Sequence, residues 1–250
     1  MIRFDTMSRY LSRRDLDSIA NHVTGKYYRM LGVSRGDLIP IDPVLLAEEI
    51  VKLNVRFSPL CNDGSILGLA AFAEVELELS LSDGNTLTQS LHNGDIVIDT
   101  ALQMEGLLGR CNFTIAHETG HHILSKLYPK EYGPLCNRTS HIMYRRVREA
   151  HNWIEWQADS IASSLLMPQP LIMESLYRFS LGEKVEMLNC IFRPVEYQRF
   201  CDMAEYLGVS KQALAIRLKQ LGLLDRDKDY LANPYELVRI YVDESEYQQM

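Results

Sequence analysis

The stretch FTIAHETGHHIL, residues 113–124, constrains this chain more than any other. It holds two histidines four apart, with a glutamate directly after the first, inside a run at 112–126 that reads as helix. On an α-helix, residues i and i+4 stack on one face, so His117 and His121 can aim both imidazoles at one point. A Zn²⁺ ion accepts such a pair, and Glu118, about 100° round the helix, can approach a metal-bound water from the side. Two protein ligands are too few, because catalytic zinc keeps three plus a water. The fold must therefore bring a further segment onto this helix.

The candidate segment is REAHNWIEWQADSIASSLLMP. Glu155 and Asp159 stand at i and i+4 on a helix whose apolar residues Ile154, Ala158, Ile161, Ala162, Leu165 and Leu166 face a core. One carboxylate can bind the metal while the other, one turn on, accepts the free N–H of a ligating histidine and fixes its tautomer. His151, one turn before Glu155, is a rival third ligand. Cys136 and His141 match no metal-ligand spacing.

Around these motifs the periodicity changes twice. Residues 13–31 read as an amphipathic helix closed by Gly32, and IDPVLLAEEIVKL as a second, with Asp42 at its N-cap and Pro43 next. Then NVRFSPL, ILGLAAF running into the alternating EVELELSL, TLTQSL and DIVIDT read as strands, with Asp83-Gly84 and Asn93-Gly94 as turns. The expectation is an antiparallel meander of about four strands. Beyond it, 112–126, 145–166, 170–177, 195–206 and 210–221 read as helices. Helices, a small sheet and helices again predict an α+β class: a small antiparallel sheet packed on a helical core that carries the metal site.

Here the residues resemble a family. FTIAHETGHHIL followed by EWQADSIASSLLMP is similar to the ImmA/IrrE metallo-endopeptidases, in which an FTxAHExGH helix precedes an ExxA(N/D)xFAxxLLMP helix. The start of the second helix and the C-terminal helices share the resemblance, which spans residues 13–224. It implies a zincin-like core, one Zn²⁺ ion held by His117, His121 and Glu155, Glu118 as general acid/base, and Asp159 behind the ligands. It also implies an endopeptidase whose protein substrate is a helix-turn-helix transcriptional repressor of a phage, mobile element or stress regulon. Thr119 stands where the family has an aliphatic residue and Ile161 where it has Phe. Residues 74–91 look like an enlarged hairpin, and the tail after 225 has no counterpart. The expected division is a peptidase domain over 1–170 and a helical region over 171–250.

That helical region holds FCDMAEYLGVSKQALAIRLKQLGLL, with Ala204, Gly208 and Leu214 at helix-turn-helix spacing and Ser210 as a cap, in a segment over 195–221. Lys211, Arg217 and Lys219 are candidate contacts to a substrate or to nucleic-acid phosphates. The alternative function is a DNA-binding transcriptional regulator with a non-catalytic zinc site. Net charge is −7, which disfavours direct binding to nucleic acid or an anionic membrane. Five cysteines without a CxxC pair fit a reducing cytoplasm. No apolar run is long enough to cross a bilayer, and the expectation is a soluble, unexported protein. Tyr128, Tyr132, His141, Tyr144 and His151 are candidate donors to a reaction oxyanion, and nothing in the sequence selects among them.

Overall fold

A computed structural model describes residues 11–61, 64–80, 86–130, 132, 142–146 and 153–224. The chain divides into two compact units, one of residues 1–27 and 42–165, the other of residues 28–41 and 166–250.

Helix α1 (Arg13–Met30) starts in the first unit and opens with a reciprocal cap. Asp15 accepts from the backbone and hydroxyl of Ser12, while the Ser12 hydroxyl accepts from the Asp15 backbone N–H. Asp42 accepts from Val44 and Leu45 N–H to start α2 (Pro43–Leu45). The chain then widens into a π-helical segment, Leu46–Val51, ending at Lys52 with φ 67°.

The strands are β1 (Asn54–Ser58), β2 (Ile66–Ala71), β3 (Val75–Ser80), β4 (Thr86–Leu91), β5 (Asp95–Asp99) and β6 (Ile142–Arg146). Four of them form one sheet in the order β1-β5-β2-β6, and β3 with β4 form a separate hairpin. The α+β class holds, but the meander does not. β1 pairs with β5 in parallel, across the intervening strands. β2 pairs antiparallel with β5 and β6. ILGLAAF and EVELELSL are split at Phe72–Glu74.

Burial explains that arrangement. On one face Leu67, Ile96, Ile98 and Leu102 pack against Cys111 and Ile115 of helix α3 (Leu108–Leu127). On the other, Leu69, Ala71 and Val97 meet Leu91, Val75 and Leu77 of the hairpin, whose Glu76 and Glu78 point outward. Every residue of β5 is buried because both faces are covered. Its two acids sit at its ends with partners: Asp95 accepts from Asn54 and His92, and Asp99 from Leu60 and Ala101.

Helix α4 runs Trp153–Leu166. Its expected beginning at 145 is overturned, since residues 142–146 are strand β6. Gln157, fully buried, accepts from Leu11 N–H, and the Ser164 hydroxyl donates to Asp17, so α4 is tied to the start of α1.

The second unit holds α5 (Gln169–Arg178), α6 (Pro194–Tyr206) and α7 (Lys211–Gln220). The Glu174 carboxylate accepts from Gly36 and Leu38 N–H, which anchors 28–41 to α5. A short turn joins α6 and α7, with Gly208 at φ 63° and the Ser210 hydroxyl accepting from Ala213 N–H. Ala204 of α6 and Leu214 of α7 are both buried. Among the described residues, no helix is long and apolar enough to cross a membrane.

Candidate metal centre

Helix α3 presents two buried faces. Cys111 and Ile115 go to β5, and Thr114 and Glu118 go to β2. Two threonines inside the helix return their hydroxyls to the backbone one turn back: Thr114 to Arg110 and Thr119 to Ile115. Thr119, the departure from an aliphatic residue, is therefore accommodated at full burial with its hydroxyl bonded.

The approach of α4 to α3 depends on Gly120. A Cβ there would lie 2.5 Å from Ile161 Cγ2 and 3.4 Å from the Ala158 carbonyl oxygen. Glycine facing alanine lets the two helices close at this level, and Glu155 and Asp159 lie on the same helix, α4, near this crossing. Ile161, the second departure, fills the space over Gly120.

His117 and His121 are buried, with ring centroids 4.7 Å apart and planes 82° to each other. Their Nε2 atoms are 3.0 Å apart. The Glu155 carboxylate reaches His117 Nε2 at 3.1 Å and His121 Nε2 at 3.5 Å. His117 Nδ1–H donates to Asp159 Oδ1 at 2.8 Å. One potential ligand atom from each of His117, His121 and Glu155 lies within 4.8 Å of the others.

This set fits a divalent cation. With its Nδ1–H committed to Asp159, a neutral His117 ring turns the lone pair of Nε2 toward a carboxylate oxygen. Acceptor then faces acceptor unless a proton or a metal cation lies between them, and the second imidazole nitrogen at the same point suits a metal cation. Two nitrogens bound to one tetrahedral zinc at 2.0–2.1 Å sit about 3.3 Å apart, close to the spacing here. Burial holds the His121 pKa below the ordinary value, against the opposing pull of the Glu155 carboxylate, which accepts from the protonated ring. Burial raises the Glu155 carboxyl, but its hydrogen bonds with His117 and His121 outweigh this and leave it well below the usual carboxylate range. Both side chains are thus ready to ligate near neutral pH.

Glu118 is fully buried on the β2 side of α3. His122 is buried too and packs against Phe72, with ring centroids 4.4 Å apart and planes tilted by 32°. Burial and the neighbouring His121 lower its pKa to about 4. Of the candidate oxyanion donors, Tyr128 caps the end of α3, Tyr132 is buried and Tyr144 is on β6. His141, His151 and Cys136 lie outside the described residues.

The three basic residues of the last helix do not share a surface. Lys211 is exposed and Lys219 half-buried. Arg217 is 3% exposed, and its Nε–H donates to the Met167 carbonyl at 3.0 Å, so its expected role as a contact is corrected to a structural one. Its helix neighbours Leu214 and Leu218, both buried, carry Arg217 inward with them.

Sequence reasoning missed two glycines, Gly120 and Gly68. Gly120 has a signal, since a glycine inside an otherwise helical apolar run marks a packing contact. Gly68 has the strand equivalent.

The α+β fold sets a His-Glu-x-x-His helix against a Glu-x-x-x-Asp helix, and together they form a group able to hold a metal ion. The peptidase M78 family model, the IrrE N-terminal-like domain, matches residues 77–219, which take in both motif helices. The chain belongs to this family of metallopeptidases. No curated protein matches it.

Proposed function

We propose that this metallopeptidase is a zinc-dependent endopeptidase of the cytoplasm that cleaves a helix-turn-helix transcriptional repressor at a specific site. The observation that carries the enzyme reading is the convergence of His117 Nε2, His121 Nε2 and the Glu155 carboxylate, with Asp159 fixing the His117 ring.

These three side chains would hold the ion. Zinc bound there supplies a Lewis acid for the scissile carbonyl and lowers the pKa of a water to about 7. Asp159 keeps the proton of His117 on Nδ1, so Nε2 stays available. Glu118 takes a proton from the attacking water onto its carboxylate and delivers it to the nitrogen of the leaving amine. The N₂O donor set supports zinc over magnesium or calcium, which prefer all-oxygen shells. The repressor as substrate rests on the ImmA/IrrE resemblance. The burial of Arg217 weighs against the alternative of a DNA-binding regulator, because it leaves two basic side chains where three were expected.

The test is Glu118→Gln, incubated with a repressor encoded nearby. The carboxamide cannot take the proton, and cleavage falls by roughly 10²- to 10⁴-fold. Cleavage at the wild-type rate refutes the mechanism.

A further inference from the structure

We propose that Gly68 is a positioning residue for the reaction: its missing side chain seats the Glu118 carboxylate. The proposal rests on the reading of Glu118 as general base.

Gly68 lies in β2, in register with Ile98 of β5, on the face covered by α3. Its φ is not in the left-handed region, so the backbone there suits any residue. Glycine in a strand interior forgoes packing and loses more conformational entropy on folding. What the position excludes is therefore the side chain itself. A Cβ at Gly68 would meet Thr114 Cγ2 at 2.6 Å, Glu118 Oε1 at 3.1 Å and Glu118 Cγ at 3.2 Å.

These contacts differ in kind. Thr114 is the severe one, and it concerns packing alone, because its hydroxyl is already bonded to the Arg110 carbonyl. The contacts to Glu118 are milder, and an added methyl would push the carboxylate aside by a few tenths of an ångström or swing it to another rotamer. Both residues are fully buried, which leaves little room to yield. Proton transfer is sensitive to such a shift, since a misplacement near 1 Å costs on the order of 10²-fold in rate. The α3 face of β2 is thus shaped by the base as well as by the core.

Serine at 114 removes Cγ2 and keeps the hydroxyl, so it separates the two effects. Wild type, Gly68→Ala, Thr114→Ser, the Gly68→Ala/Thr114→Ser double variant and Glu118→Gln are compared in zinc-loaded, full-length protein. The readouts are Tm, zinc affinity, and kcat and KM on a fluorescence-quenched peptide pool, together with a crystal structure of the double variant. Gly68→Ala lowers Tm by roughly 3–8 °C and the double variant recovers most of that loss. In the double variant kcat stays roughly 3-fold down for a shift of a few tenths of an ångström, and up to about 100-fold down for a rotamer swing, while KM and zinc affinity match wild type. Its crystal structure shows the Glu118 carboxylate displaced, with His117, His121 and Glu155 superimposing on wild type. A double variant with its carboxylate unmoved, or with wild-type kcat, overturns the proposal, and the structure decides this without any substrate. Glu118→Gln keeps the failures apart: if it is active, the general-base reading falls, whereas an inactive Glu118→Gln beside a fully active double variant removes only the role of Gly68.

Discussion

The Nδ1–H of His117 donates to the Asp159 carboxylate over 2.8 Å, from a ring that is 1% exposed to an acid that is half-exposed. The acid is reachable by solvent, so its stabilising effect on folding is small. Its consequence is to select the tautomer that leaves Nε2 pointing at Glu155 and His121.

Asp159→Ala therefore acts on metal binding before stability. Zinc affinity is expected to fall 10- to 100-fold, as for other acids behind a ligating histidine. Competition with a chromophoric chelator reads this directly. Asp159→Asn, whose side-chain oxygen can still accept from Nδ1–H, loses less. Unchanged affinity in Asp159→Ala would separate the acid from the ligand set.

Gly120→Ala sets two effects against each other. Alanine favours the helix by about 1 kcal/mol, and overpacking against Ile161 costs about 1–3 kcal/mol. With a 2.5 Å approach to Ile161 Cγ2, the packing cost wins. Urea denaturation should show net destabilisation, and adding Ile161→Ala should reveal a coupling of at least about 0.5 kcal/mol. A more stable Gly120→Ala protein would mean that α4 does not depend on this contact.

Low pH is expected to destabilise the zinc-free protein through buried histidine. The His122 pKa drops from 6.5 to about 4 on folding, first through burial. The unfolded chain then binds the proton more tightly. This contribution to stability is complete above pH 6.5 and is lost as pH falls toward 4, a change of roughly 3 kcal/mol. His121 shifts in the same direction and adds to the fall. Denaturation midpoints across pH 4–8, with chelator present, should show a shallower fall in His122→Gln. Equal slopes in both proteins would contradict the assignment.

Much of this site is legible in the sequence. The i, i+4 spacings of His117 and His121 and of Glu155 and Asp159 are properties of a helix surface, so each pair could be placed on its face from sequence alone. Their convergence could not be derived that way, since it depends on how closely α4 approaches α3. That closeness belongs to Gly120, Ala158 and Ile161. Strand positions were legible for a similar reason, because alternation in EVELELSL reports one covered face. Alternation does not name a partner, and so the parallel β1–β5 pair and the separate hairpin were missed. Residues 145 and 146 read as helix only by continuity with the apolar periodicity of α4. Arg217 was misplaced because a basic residue on a helix is read as surface, and only the packing of Leu214 and Leu218 turns it inward.

Arg217 and Lys211 should accordingly behave differently. Arg217→Ala removes a buried donor to the Met167 carbonyl and is expected to cost about 1–3 kcal/mol. Lys211→Ala, at an exposed position, should stay within about 0.5 kcal/mol of wild type. Thermal unfolding of the two variants checks the contrast, and comparable small effects would return Arg217 to the surface.

The most direct measurement is an anomalous difference map from crystals of the zinc-loaded protein, collected at the zinc absorption edge. A single peak is expected about 2.0–2.2 Å from His117 Nε2, His121 Nε2 and a Glu155 oxygen. A peak held by other residues, or none at these three, would contradict a metallopeptidase centre built on this ligand set.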